Sequence, residues 1–115
     1  MVGLADRASR KPYSIANSPE QLRQSGALEF LVEVGPDGQS RPNLEGAGPG
    51  SHVAVVGPAG GFVLPRRLPR ELLFVAGGTG FAPIKAMIEH ALHHNLEREM
   101  VLYWGARALP DLYLP

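Results

Sequence analysis

Between Leu72 and Leu92 the chain reads LLFVAGGTGFAPIKAMIEHAL, an apolar run that breaks at a cluster of glycines and resumes with helical spacing. Leu72 to Ala76 are continuously apolar, which predicts a strand buried on both faces. Gly77, Gly78, Thr79 and Gly80 then permit a tight turn whose backbone a ligand can approach, because three of the four residues lack a Cβ. Pro83 suits the first turn of a helix, where its missing N–H costs nothing. Ile84, Met87, Ile88, Ala91 and Leu92 recur at spacings that put them on one helical face. Strand, glycine turn and helix N-terminus in that order form a ready site for a phosphate or pyrophosphate.

The turn departs from the dinucleotide fingerprint G-x-G-x-x-G, since Pro83 holds the last position and no acidic residue follows at the required distance on a second strand. No Lys-Ser or Lys-Thr follows either, which argues against a nucleotide-hydrolysing P-loop. A glycine turn of this kind also serves purely to fold the chain, and that reading stays open at this point. Met100 to Trp104 form a second apolar run, closed by Gly105. Two parallel strands joined by a helix make a right-handed crossover unit with ligands expected beyond the strands' C-terminal ends. Gly77 to Gly80 and Gly105 fall at that same edge.

The preceding text has a different grammar. Fourteen glycines and eleven prolines in 115 residues separate short apolar runs, as in a β-rich fold with many turns. MVGLA at the start reads as part of a strand, Lys11 to Ala16 as an extended segment, and SPEQLRQ as a single helical turn with Ser18 as cap and Pro19 at its first position. Leu28 to Val34 (LEFLVEV) alternates and predicts a half-buried strand. Gly35 to Gly50 reads as loop, His52 to Val56 as strand, Gly57 to Phe62 as turn, and Pro65 to Pro69 as linker. Eleven basic and eleven acidic residues balance, so no charge field points to nucleic acid or an anionic membrane surface. Without cysteine, disulfides, iron–sulfur clusters and thiolate zinc sites are excluded within the chain. No apolar run reaches membrane-spanning length, and a soluble cytoplasmic protein is expected. His90, His93 and His94 suggest a metal only superficially: without a third ligand nearby, a polar helix face is the expectation.

Tyr13 beside Ser14 on an extended strand offers a ring that can stack and a hydroxyl that can bond an edge, although by itself such a pair is more often a packing residue and a solvent-facing one. Taken in order, KPYSIAN at Lys11 to Asn17, PGSHVAVVGPAGGF at Pro49 to Phe62, FVAGGTGFAPI at Phe74 to Ile84, and LYWGAR with DLY between Leu102 and Tyr113 resemble the ferredoxin–NADP reductase-like flavoproteins, especially bacterial flavin reductases and oxygenase reductase components. The resemblance implies an antiparallel Greek-key FAD-binding barrel, present in part over 1–69, followed by the start of a parallel α/β domain for NADH or NADPH over 70–115.

It further implies that Tyr13 packs on the isoalloxazine ring and that Ser14 bonds near its reactive nitrogen, the two catalytic candidates. Lys11, Pro12, Ile15, Ala16 and Asn17 would lie along the flavin. Lys11 stands where the family carries arginine, with Arg10 one place earlier; lysine keeps the charge but loses the bidentate fork. Gly38 and Ser40 fall near a further diphosphate motif but do not match its spacing. In the second segment Gly77, Gly78, Thr79, Gly80 and Pro83 match the nicotinamide-cofactor loop, and Gly105 and Arg107 the loop after the next strand. A solvated arginine is the competing reading of Arg107. Asp111 and Tyr113 match positions that support this loop.

The implied protein passes hydride from NAD(P)H to FAD and electrons on to an acceptor, whether an iron–sulfur protein, an oxygenase component or a small molecule. Barrel strands before Met1 and sheet strands after Pro115 would complete such a reductase, so the chain reads as an internal fragment. The alternatives are a non-catalytic electron-transfer or regulatory subunit, an inactive dinucleotide-binding fragment, or an α/β nucleotide module unrelated to flavin.

Overall fold

The computed structural model describes residues 2–6, 9–35, 47–94 and 98–113. In chain order these form β1 (Val2–Asp6), β2 (Ser9–Tyr13), helix α1 (Pro19–Ser25), β3 (Ala54–Val56), β4 (Glu71–Gly77), helix α2 (Phe81–His93) and β5 (Glu99–Gly105). A 3-10 turn over Gly78–Gly80 leads into α2, and another over Leu109–Asp111 follows β5. Most of the segment read as the loop from Gly35 to Gly50, with Gly38 and Ser40, lies outside the described residues.

The first half is a three-stranded antiparallel sheet of order β2-β1-β3, with Val2 opposite Tyr13 and Gly3 opposite Val56. The strand expected over His52 to Val56 is confined to its last three residues, all exposed. Ser18 caps α1 as expected, its Oγ accepting from the Gln21 N–H at 3.2 Å. Gly26 ends it in the left-handed region at φ 69°, its N–H bonding the Leu22 carbonyl at 2.8 Å.

Leu28 to Val34 is not the strand its alternation suggests. It meets β-structure only at isolated bridges, one of them pairing Ile15 with Phe30. The Asn17 side chain explains much of this. Its Nδ2 donates to the Ala27 carbonyl at 2.9 Å and its Oδ1 accepts from the Glu29 N–H at 3.0 Å, so backbone groups that a ladder would use are already bonded.

The second half follows the expected strand, helix, strand order. β4 and β5 pair in parallel, with Glu71 opposite Glu99 and Gly77 opposite Gly105, which puts both glycine positions at one sheet edge. Leu72, Phe74 and Ala76 point into the core with Phe81 and Ile84 from α2, and Leu31, Leu64, Leu68, Met87, Ile88, Met100 and Trp104 pack around them. Full burial of a side chain such as Ile84 or Phe74 contributes about 1.5–3 kcal/mol. Two expectations are corrected here. β4 is buried on one face only: Leu73 and Val75 are 67% and 69% exposed, because α2 covers a single side of the two-stranded sheet. Leu92, read as part of the apolar face of α2, is 60% exposed, whereas Ile84 and Ala91 are buried.

The halves meet where α1 lies against α2. The Ser18 N–H donates to Glu89 Oε2 at 3.0 Å, and Lys85 Nζ donates to the Ala16 carbonyl at 3.2 Å and pairs with Glu29 at 3.0 Å. Burial works against the charge on Lys85, but hydrogen bonds and attraction from Glu89 and Glu29 outweigh it and raise its pKa above the ordinary 10.5.

Candidate functional site

The glycine turn is built by three requirements that can be separated. Gly78 needs its identity for conformation: its φ of 51° lies in the left-handed region, costly for a residue with a Cβ. Gly77 and Gly80 have φ of −131° and −60°, which other residues adopt readily, and a Cβ at either would meet nothing within 4 Å. Neither the fold nor its packing accounts for glycine at those two positions.

The backbone of the turn is held from one side by aromatic residues. The Gly78 carbonyl accepts from Trp104 Nε1 at 3.3 Å and from the Tyr113 hydroxyl at 3.1 Å. The Trp104 ring stacks on Phe81 with centroids 4.2 Å apart and meets Tyr113 edge-on at 4.9 Å. Burial pushes the Tyr113 hydroxyl above its ordinary pKa, which keeps it a donor. Tyr113 thus supports the loop as its sequence position implied. Asp111 does so indirectly, accepting from the Ala108 N–H at 3.2 Å in the turn that carries Tyr113. Trp104 and Phe81 were not singled out from the sequence; the signal available was a lone tryptophan directly before Gly105.

Two clefts hold most of the candidate residues, and the turn borders the first of them. One of about 900 Å³ brings Gly78, Thr79, Gly105 and Arg107 together opposite Phe30 to Val34. The other, of about 570 Å³ and mostly apolar, lies between the halves and is lined by Ser14, Ile15, Asn17, Gly60, Pro83 and Met87 among others. Both have the size of small-molecule sites. Lys11, Pro12, Tyr13, Ala16, Gly77 and Gly80 line neither cleft. Lys11 and Pro12 are exposed on β2, and Tyr13 ends that strand half-buried, with burial raising its hydroxyl pKa above 10.0. Ala16 is fully buried, its N–H donating to the Glu29 carbonyl at 2.8 Å. Asn17 spends its amide on the 27–29 loop, so its role in this structure is to hold backbone.

The histidines of α2 have the neighbour that the sequence did not reveal. Glu20, in the first turn of α1, lies 3.1 Å from His90 Nδ1 and 3.1 Å from His94 Nε2. The two sides of this contact are seventy or more residues apart in the chain, beyond the reach of any local pattern.

With this geometry in hand, the chain can be assigned. It belongs to the family of oxidoreductase FAD-binding domains, whose model matches residues 1–64, and the model of the oxidoreductase NAD-binding domain matches residues 74–115. The resemblance to ferredoxin–NADP reductase-like flavoproteins is borne out, and FAD and NAD(P)H are the cofactors of these domains. Reductase component 1 of a terephthalate 1,2-dioxygenase from Comamonas is 35% identical over 100% of this chain and 33% of its own length. An NAD(P)H-flavin reductase from Vibrio harveyi is 32% identical over 90% of this chain and 45% of its own. The crystal structure of the Amycolatopsis cytochrome P450 reductase GcoB superposes with a TM-score of 0.80 at 33% identity, covering 97% of this chain and 35% of that one. The chain spans between a third and a half of the length of these relatives. No helix among the described residues is long and apolar enough to cross a membrane.

Proposed function

We infer that the chain carries the junction between flavin and nicotinamide in an NAD(P)H-dependent flavin oxidoreductase. Residues 1–69 contribute part of an antiparallel Greek-key FAD-binding barrel, and 70–115 the opening of the NAD(P)-binding domain. The observation that carries the reading is the space at Gly77 and Gly80, where nothing inside the molecule explains a missing Cβ, next to a cleft holding Thr79 and the cation Arg107. A nicotinamide dinucleotide brings a diphosphate for the open turn and for Arg107, and a flat ring for the neighbourhood of Thr79.

The flavin side is assigned to Tyr13, as a stacking surface, and Ser14, which lines the mostly apolar cleft between the halves. Ile15 to Asn17 supply adjacent backbone, Pro12 the extended approach, and Lys11 a charge for the diphosphate. Pro83 lines the same cleft from α2. Bound FAD supplies the hydride-accepting centre and converts two-electron input to one-electron output, while the protein binds and orients. The electrons leave to an iron–sulfur protein, an oxygenase component or a small molecule.

FAD titration of the chain tests this. Flavin fluorescence is expected to be quenched on binding, and NAD(P)H to be oxidised when a dye accepts the electrons. Ser14→Ala should retain FAD and slow reduction about 10- to 100-fold, the equivalent of a hydrogen bond to a charged group. A colourless chain that leaves FAD fluorescence unchanged overturns the reading.

A further inference from the structure

We propose that Glu20, His90 and His94 form a binding site for a divalent transition-metal ion of the zinc class, clipping α1 to α2. His90, in the last turn of α2, and His94, its C-cap, are one turn apart, and their ring centroids lie 4.5 Å from each other. Glu20 reaches them from the first turn of α1, and the candidate ligand atoms of the three residues all lie within 4.8 Å of one another. A single carboxylate oxygen, Glu20 Oε1, stands 3.2 Å from His90 Nδ1 and 3.1 Å from His94 Nε2. A tetrahedral zinc ion with bonds of 2.0–2.1 Å separates its ligand atoms by about 3.3 Å, so both oxygen–nitrogen spacings already fit. Only the gap between the imidazoles has to close.

The mobility needed for that closure is in the right place. The His90 and His94 side chains are 39% and 47% exposed, so their rings turn at small cost, whereas Glu20, at 9%, is the fixed member. Desolvation opposes ionisation of Glu20, but hydrogen bonds from its own backbone, His94 and His90 outweigh it and hold its pKa at about 2. The ligand is therefore a carboxylate across the neutral range. Two imidazoles and one carboxylate, with no thiolate, suit zinc, cobalt and nickel and leave a fourth position for water on the exposed side. Arg23 is the competing cation, with Nη1 3.7 Å from Glu20 Oε1; its side chain is 76% exposed and has room to leave.

The test is titration of the metal-stripped chain with Zn²⁺ against an indicator dye, and with Co²⁺ followed by visible absorption. Saturation at a single equivalent is expected. Glu20→Gln and His94→Ala should each weaken Zn²⁺ binding by at least the roughly 10- to 100-fold that follows from loss of a mere outer-sphere partner. His93→Ala, whose ring meets that of His94 edge-on with centroids 5.2 Å apart but which is not one of the three candidate ligands, should weaken it far less. Absence of saturable binding, an unchanged affinity in His94→Ala, or an equal loss in His93→Ala overturns the proposal. Should a variant lose its far-ultraviolet circular dichroism, X-ray absorption on the zinc-loaded unmodified chain decides: two imidazoles and a carboxylate oxygen support the site, and a shell without imidazole overturns it.

Discussion

Along the side of α2 that meets β4, the contacts are apolar: Phe81 and Ile84 close over Leu72, Phe74 and Ala76. Along the side that meets α1, they are charged or polar: Lys85 to Glu29 and the Ala16 carbonyl, Glu89 to the Ser18 N–H, and His90 and His94 to Glu20. One helix therefore joins its own sheet by burial and the segment around α1 by ionisable groups. Apolar packing has no charge to titrate or screen, whereas partly exposed ion pairs respond to both pH and ionic strength. Solution conditions should loosen the α1–α2 junction before they loosen the unit of β4, α2 and β5.

The largest effect is expected on the apolar side. Ile84→Ala should cost about 2–5 kcal/mol, read from the urea midpoint, with no dependence on pH between 5 and 8. Lys85→Met tests the polar side and should cost roughly 1–2 kcal/mol, since a charged donor to Ala16, Glu29 and Glu89 is lost. Because the folded pKa of Lys85 is raised above 10.5, its contribution is complete below that pH and fades as pH rises through the folded value; the variant should lack this alkaline loss. Gly78→Ala should cost about 1–2 kcal/mol through its positive φ, without altering the junction.

The smallest effect is expected from Glu20→Gln in the presence of a chelator, since its partners His90 and His94 are partly exposed and screened by solvent. Glu20 is depressed from 4.5 to about 2, so its contribution is complete above pH 4.5 and is lost as pH falls toward 2. Urea midpoints of the parent chain should fall across that window, and those of the variant should fall less. Equal slopes would show that the contact with His90 and His94 contributes nothing to stability.

The same contrast explains what could be read from the sequence. The unit of β4, α2 and β5 was legible because each of its elements announces itself within about ten residues: an apolar run, a glycine cluster, helical spacing from Ile84 to Ala91, a second apolar run. The cap at Ser18 was legible for the same reason. LEFLVEV misled because alternation reports side-chain placement and is silent about the Asn17 amide that takes the backbone bonds of a neighbouring loop. Leu73 and Val75 misled because an apolar run does not say how many layers cover a sheet. Glu20 was invisible because its partners belong to another helix, and the aromatic support of Gly78 was half-visible, in Tyr113 but not in Trp104.

That support has a practical consequence. Trp104 is the single tryptophan of the chain, and it is bonded directly to the carbonyl of the glycine turn. Its fluorescence is therefore an intrinsic optical gauge of that turn: any ligand that shifts the Gly78 peptide or approaches the stacked Phe81 and Trp104 rings changes the emission of one identifiable fluorophore. Occupancy of the turn can be followed in the unmodified protein, without a label and separately from any signal carried by flavin.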